Sequence, residues 1–130
     1  MLSIDHVGLW VRDLDRVCAF YVEHLGAVAE ARYENLGKGF VSRFLRFDSG
    51  ARIELMTTTI LSPVASQPGA ERMGLTHLAF RLGSQSEVDA TTGRLQSAGT
   101  VVLSGPRKTG DGYYESVVLD PEGNRIELVA

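Results

Sequence analysis

The sequence contains a single cysteine, Cys18, among 130 residues, so no disulfide can form within the chain. It also lacks a long apolar run, because Asp5, Arg12 and Asp13 interrupt the N-terminal stretch; neither a signal peptide nor a membrane-spanning helix is expected. No basic cluster is present and the formal net charge is -3 at pH 7, which argues against nucleic acid as a partner. These absences predict a cytoplasmic protein with no membrane contact.

The composition is that of an ordinary globular protein, with 44% hydrophobic and 22% charged residues. A chain of this length can bury one core, so residues 1–130 are predicted to form one domain. Within it we expect a first module at 1–58, a connection at 59–73 that carries prolines and small polar residues, and a second module at 74–130.

The division into modules rests on a repeated tetrapeptide, Arg-Ile-Glu-Leu, which occurs at 52–55 and again at 125–128. Each copy follows a turn-forming stretch that contains Asp and Gly. A histidine opens each half as well: His77 follows His6 by 71 positions, while the two Glu of the tetrapeptides are 73 apart. The chain is therefore predicted to be one module written twice, with one strand-borne His and one strand-borne Glu per copy.

The spacing of apolar residues predicts the order strand, helix, strand, strand, strand in each module. Asp13 is a suitable N-cap for the first helix, and either Ser84 or Ser86 for the second. Gly26 and Gly99 stand where a left-handed residue ends a helix. The predicted strands are 4–11, 27–33, 40–47 and 52–57 in the first module, and 75–82, 101–103, 113–119 and 125–129 in the second. The fold class is α+β, with two βαβββ modules paired into a curved mixed sheet that encloses a pocket.

Side chains alternate along a strand, so each of these His and Glu residues is predicted to lie opposite the aliphatic residues of its strand. Taken singly, such residues are more often hydrogen-bonded or solvated than metal-bound; their repetition favours a metal site. Two imidazoles and two carboxylates suit Zn, Ni, Co, Mn or Fe(II) better than Ca or Mg. The predicted ligands are His6, Glu54, His77 and Glu127.

Four segments, at 6–9, 20–26, 74–80 and 120–128, together with the order His–Glu–His–Glu, carry a resemblance that covers essentially the whole chain. They resemble the vicinal oxygen chelate superfamily, in particular its glyoxalase I-like members. The resemblance implies a homodimer that holds one divalent metal ion through the same four side chains.

The resemblance also implies a lyase or isomerase of the glyoxalase type, which acts on a small carbonyl substrate. In this chemistry the metal chelates two neighbouring oxygens and stabilises an enediolate formed by proton removal next to the carbonyl. The resemblance makes Glu127 the expected catalytic base, with Glu54 as the other candidate.

The predicted substrate face departs from glyoxalase I. Trp10 and Thr57-Thr58 stand where that family places the Arg and Asn that hold glutathione, so a different small oxygenated molecule with an apolar or aromatic part is expected. The predicted substrate-binding residues are Trp10, Met56, Thr58, Arg81 and Tyr113, with Arg52 and Arg125 as further possible partners for an anion.

Two other functions fit the same fold. A protein similar to the bleomycin-resistance proteins would bind a ligand without catalysis, but such a binder has no need of four metal-ligand residues. An Fe(II) dioxygenase of the extradiol type is the other, and a second carboxylate would crowd its metal shell.

Overall fold

The computed structural model describes residues 1–63 and 69–130. The chain divides into two compact units, Met1–Pro63 and Val64–Ala130, and this boundary falls inside the predicted connection at 59–73. Residues 64–68 of that connection lie outside the described residues. Each unit contains one long helix and one mixed sheet, which confirms the predicted α+β class. Among the described residues no helix has the length and apolar character needed to cross a membrane.

The sheet of unit 1 has the strand order β1-β5-β4-β2, and β3 also pairs with β4. Its first strand lies parallel to its last, whereas the other pairings are antiparallel. A short 3-10 helix, Leu36–Lys38, connects β3 to β4. The elements are β1 (His6–Trp10), α1 (Leu14–Leu25), β2 (Val28–Ala29), β3 (Tyr33–Asn35), β4 (Phe40–Arg46) and β5 (Arg52–Thr58).

Unit 2 repeats this topology with the strand order β6-β9-β8-β7. Again the first strand lies parallel to the last, and the remaining neighbours are antiparallel. The elements are β6 (His77–Arg81), α2 (Gln85–Ser97), β7 (Val102–Lys108), β8 (Tyr114–Leu119) and β9 (Arg125–Val129). The shared topology is the structural counterpart of the repeated sequence.

The helix ends are set by local hydrogen bonds. The Asp13 carboxylate accepts a hydrogen bond from the Arg16 backbone N–H at 3.0 Å, and Gly26 ends α1 in the left-handed conformation with φ of 69°. At α2 the Ser84 hydroxyl accepts a hydrogen bond from the Glu87 backbone N–H at 3.2 Å. Ser84 is therefore the N-cap of α2.

The two sheets bury one face each against their own helix. In unit 1, α1 packs against β4 and β5; in unit 2, α2 packs against β7, β8 and β9. The Ile and Leu of the repeated tetrapeptide are buried in both copies, since Ile53, Leu55, Ile126 and Leu128 have at most 3% of their surface exposed. Alternation along β5 and β9 then places Glu54 and Glu127 on the faces away from the helices.

Two strands differ from the prediction. The segment at 27–33 forms two short strands, because Ala29 to Tyr33 spans four residue steps while their partners on β4 span three. The extra residue interrupts the pairing, as at a β-bulge. Conversely, β7 continues through Gly105-Pro106 to Lys108, beyond the predicted strand at 101–103. It does so because the pairing with β8 shifts register there.

Candidate metal centre

A His–Glu pair lies on the open face of the unit 1 sheet. The parallel register aligns Gly8 of β1 with Glu54 of β5, so His6 lies one pleat away from Glu54 on the same face. Its Nε2 atom is 3.6 Å from Oε2 of Glu54, and the two side chains are 40% and 20% exposed. That distance is longer than a hydrogen bond, which leaves both atoms open to a further partner.

Unit 2 contains the matching pair. Here Ala79 of β6 aligns with Glu127 of β9, and His77 again lies one pleat away. Its Nε2 atom is 3.2 Å from Oε2 of Glu127, with side-chain exposures of 37% and 19%. The same displacement on the same pair of strands therefore recurs in both units.

Both pairs have a spacing that suits metal ligands. Two donor atoms at about 2.1 Å from one ion, with an angle of about 90–120° between them, lie about 3.0–3.6 Å apart. Imidazole nitrogen and carboxylate oxygen are also the donors that zinc and its neighbours accept. Across residues 1–63 and 69–130, no group of three or more His, Cys, Asp or Glu side chains is close enough to hold a metal ion. Each unit therefore offers two donors.

The ring of His6 has a second acidic neighbour, which the sequence analysis did not identify as functional. Nδ1 of His6 is 2.7 Å from Oδ2 of Asp5, and the same oxygen accepts a hydrogen bond from the Arg52 guanidinium at 2.9 Å. These hydrogen bonds, with His6 the larger contributor and Arg52 next, lower the pKa of Asp5 below its ordinary value. The sequence signal for a role of Asp5 is its position immediately before His6.

The arginines of the two tetrapeptides are already engaged by protein groups. Arg52 also lies 3.5 Å from a Glu30 carboxylate oxygen, and its guanidinium carbon is 4.3 Å from the centre of the Phe44 ring. Arg125 donates hydrogen bonds to Glu71 at 3.2 Å and to the Gly69 carbonyl at 2.6 Å. Both arginines therefore make contacts that stabilise their own unit.

Three of the predicted substrate-binding residues share the open face of unit 1. Register aligns Trp10 with Met56 and Phe40 with Thr58. Trp10 is 50% exposed and meets Phe40 edge to face at a centroid distance of 6.1 Å, as Tyr33 does from its own strand. We call Trp10, Tyr33 and Phe40 the aromatic shelf. Phe40 and Phe44 are four residues apart on β4 and share this face, so their spacing is the sequence signal for aromatic side chains here.

The two remaining predicted residues lie in unit 2. Arg81 shares the face of His77, since the two are four residues apart on β6, and its guanidinium donates a 2.6 Å hydrogen bond to the Ala130 carbonyl. Tyr113 lies in the turn before β8 with 47% of its surface exposed. Its backbone is fixed by Thr109, whose N–H donates to the Tyr113 carbonyl at 2.8 Å.

A second carboxyl group adjoins Glu127 and was also missed by the sequence analysis. Glu115 of β8 is 8% exposed, and burial raises its pKa. The negative charge of Glu127 and a hydrogen bond between the two carboxyl groups raise it further, against the opposing charge of Arg107. Alternation along β8 places Glu115 on the open face with Val117, which pairs with Glu127.

Comparison with known proteins matches almost the whole chain to one family. Residues 3–128 match the sequence model of the glyoxalase/bleomycin resistance protein/dioxygenase superfamily. Over 96% of both chains, the sequence is 30% identical to the protein YqjT of Bacillus subtilis (strain 168).

Solved structures show the same fold. A glyoxalase family protein from Enterococcus faecalis superposes with a TM-score of 0.78 at 26% identity, covering 98% of this chain and 97% of that one. A glyoxylase/bleomycin resistance protein/dioxygenase domain from Frankia sp. EAN1pec gives a TM-score of 0.82 at 23% identity, covering 99% and 97%. Glyoxalase I from Zea mays gives 0.78 at 21% identity, covering 98% of this chain and 44% of that one.

Proposed function

The chain belongs to the glyoxalase/bleomycin resistance protein/dioxygenase superfamily, and on that premise we propose that it is a divalent-metal-dependent lyase or isomerase of the glyoxalase type. Its substrate is a small carbonyl compound. The observation that supports the proposal is the pair of matched His–Glu sites, with Nε2 to Oε2 distances of 3.6 Å and 3.2 Å.

The proposed ligands are His6, Glu54, His77 and Glu127, for one ion of Zn, Ni, Co, Mn or Fe(II). One unit supplies two donors, and a catalytic ion of this kind takes three or more protein ligands, so both pairs are required. We further propose a cytoplasmic homodimer. The large apolar side chains of Ile4, Met73 and Leu75 are more than 70% exposed in the single chain and support such an association.

The proposed reaction begins with removal of a proton from the carbon next to the substrate carbonyl. When bound, the metal would supply positive charge where negative charge develops on the substrate oxygens. Glu127 takes the proton from a carbon that carries a hydroxyl group and returns it to the carbonyl carbon, while the hydroxyl proton passes to the carbonyl oxygen. The carbonyl group is thereby shifted to the neighbouring carbon. Glu54, which matches it in unit 1, is the second candidate for this step.

Metal uptake tests the proposal. Metal-free protein offered Ni, Zn, Co, Mn or Fe(II) is expected to retain one ion per chain, measured by elemental analysis after desalting. His6→Ala is expected to lose this uptake because it removes one of the four ligands. The matched control is His24→Ala at the end of α1, which should retain the ion. A wild-type protein that takes up no ion would leave a ligand-binding role in place of the enzyme.

We propose that the aromatic shelf, with Met56 and Thr58, receives an aromatic or apolar part of the substrate, while Arg81 and Tyr113 contact its polar part. Trp10 is the sole tryptophan, so its fluorescence reports on this face. We expect 2-hydroxyacetophenone to quench it at concentrations at which hydroxyacetone has no effect. Phe40→Leu should weaken this binding about 2- to 10-fold, since an aromatic pair contributes about 0.5–1.5 kcal/mol. Equal responses to both ketones would contradict an aromatic preference.

A further inference from the structure

The two halves of the chain surround their histidines differently. In unit 1, Nδ1 of His6 is 2.7 Å from Oδ2 of Asp5, while Nε2 faces Glu54. In unit 2 the residue before His77 is Thr76, which has no carboxylate. Within residues 69–130, the ion-pair partner of His77 is Glu127. The two modules therefore differ at this position, since the residue before the histidine is Asp in the first and Thr in the second.

We propose that Asp5 is a positioning residue, which fixes the His6 ring so that its Nε2 atom is presented to the metal. The inference rests on the metal site proposed above. A neutral imidazole has one N–H and one bare nitrogen. If Nδ1 donates its hydrogen to Asp5, the lone pair is on Nε2, the atom that faces Glu54. A carboxylate at this place also raises the basicity of a histidine ligand.

Asp5 is held in place although its side chain is 72% exposed. The Arg52 guanidinium donates to the same carboxylate oxygen at 2.9 Å, and the Arg52 backbone N–H donates to the Asp5 carbonyl at 3.0 Å. Arg52 in turn is steadied by Glu30 at 3.5 Å and by the Phe44 ring at 4.3 Å. The carboxylate is thereby anchored from its backbone and from its side chain.

Phe44 adds to this support because its ring contacts both His6 and Arg52. Its ring meets the His6 ring edge to face at a centroid distance of 5.2 Å, while the Arg52 guanidinium lies over it. Rotation of the His6 ring would break the Asp5 contact and this aromatic contact together. His6 is thus a preset ligand, and the pair in unit 2 lacks the equivalent carboxylate.

Metal affinity in the full chain tests the proposal. Titration of metal-free protein with Ni²⁺, followed by calorimetry, is expected to show about 10- to 100-fold weaker binding for Asp5→Ala. Asp5→Asn, which keeps an acceptor but not the charge, should recover part of the loss. The duplication supplies the control, since Thr76→Ala removes a side chain at the equivalent place and should leave the affinity unchanged. Equal affinities for wild type and Asp5→Ala would overturn the assignment.

A second readout reports on the ring directly. Nitrogen-15 spectra of the histidine side chains, recorded on metal-free protein at about pH 8, where an ordinary histidine is neutral, should show His6 with its hydrogen on Nδ1. In Asp5→Ala this hydrogen should move to Nε2 while the His77 signals stay in place. A His6 hydrogen on Nε2 in wild-type protein that does take up Ni²⁺ overturns the role of Asp5 alone. Failure of wild type to take up any metal overturns the proposed function itself.

Discussion

Replacing Glu127 with glutamine is expected to slow proton exchange at the carbon next to the substrate carbonyl by about 10²- to 10⁴-fold. The amide oxygen of glutamine can still approach a metal ion, but it cannot accept a proton from carbon. Loss of exchange with retention of metal would therefore assign the proton transfer to the carboxylate rather than to the integrity of the site.

The exchange is measured by following the CH₂ signal of 2-hydroxyacetophenone in D₂O by proton NMR, with the metal content of each sample determined in parallel. Glu23→Gln, on the exposed side of α1, is the control for a lost carboxylate elsewhere and should exchange at the wild-type rate. Glu54→Gln makes the matching change in unit 1. Exchange that continues undiminished in metal-loaded Glu127→Gln, and fails in Glu54→Gln, would move the base to Glu54.

Replacing Leu128 with alanine is expected to lower the free energy of unfolding by about 2–5 kcal/mol, the range for a buried leucine whose removal leaves a cavity. Leu128 is fully buried on β9, which has β6 on one side and β8 on the other. Strands on both sides limit how far the surroundings can collapse into the vacated space. The loss should therefore lie in the upper part of that range.

Urea unfolding followed by circular dichroism gives the measurement. Leu55→Ala makes the same change at the equivalent position of unit 1, where the side chain is also fully buried, and should cost a similar amount. Leu36→Ala removes the same atoms from a side chain that is 82% exposed and should alter stability by less than about 0.5 kcal/mol. A Leu128→Ala protein as stable as the Leu36→Ala protein would contradict the assigned core.

The sequence was sufficient to predict features that are determined within a single helix or strand. Alternation along β5 and β9 predicted which side chains are buried, and helix-capping chemistry predicted Asp13 and Gly26. It was insufficient for pairings between distant segments. The break between β2 and β3 arises from a one-residue mismatch against β4, and nothing within 27–33 encodes it.

The candidate site shows the same division. The sequence placed His6 and Glu54 on one face because each obeys the alternation of its own strand. It also offered Arg52 as a partner for a substrate anion, and the structure instead pairs Arg52 with Asp5 and Glu30. Asp5 and Glu30 are distant from Arg52 in the sequence. Which distant side chains meet depends on strand register, and register cannot be read from the sequence alone. Glu115 escaped notice for the same reason.

The parallel pairing of first and last strands has a consequence for the order in which each unit folds. In the part of unit 1 that the structure describes, β1 pairs only with β5, so it has no strand partner until residues 52–58 are available. Contacts that close such a large loop form late and slow the search for the native state. His6 and Glu54 lie on these two strands, and so do His77 and Glu127 in unit 2. Each half of the proposed metal centre is therefore completed late in folding, when its first and last strands pair, and the approach of its His to its Glu indicates that the unit has folded.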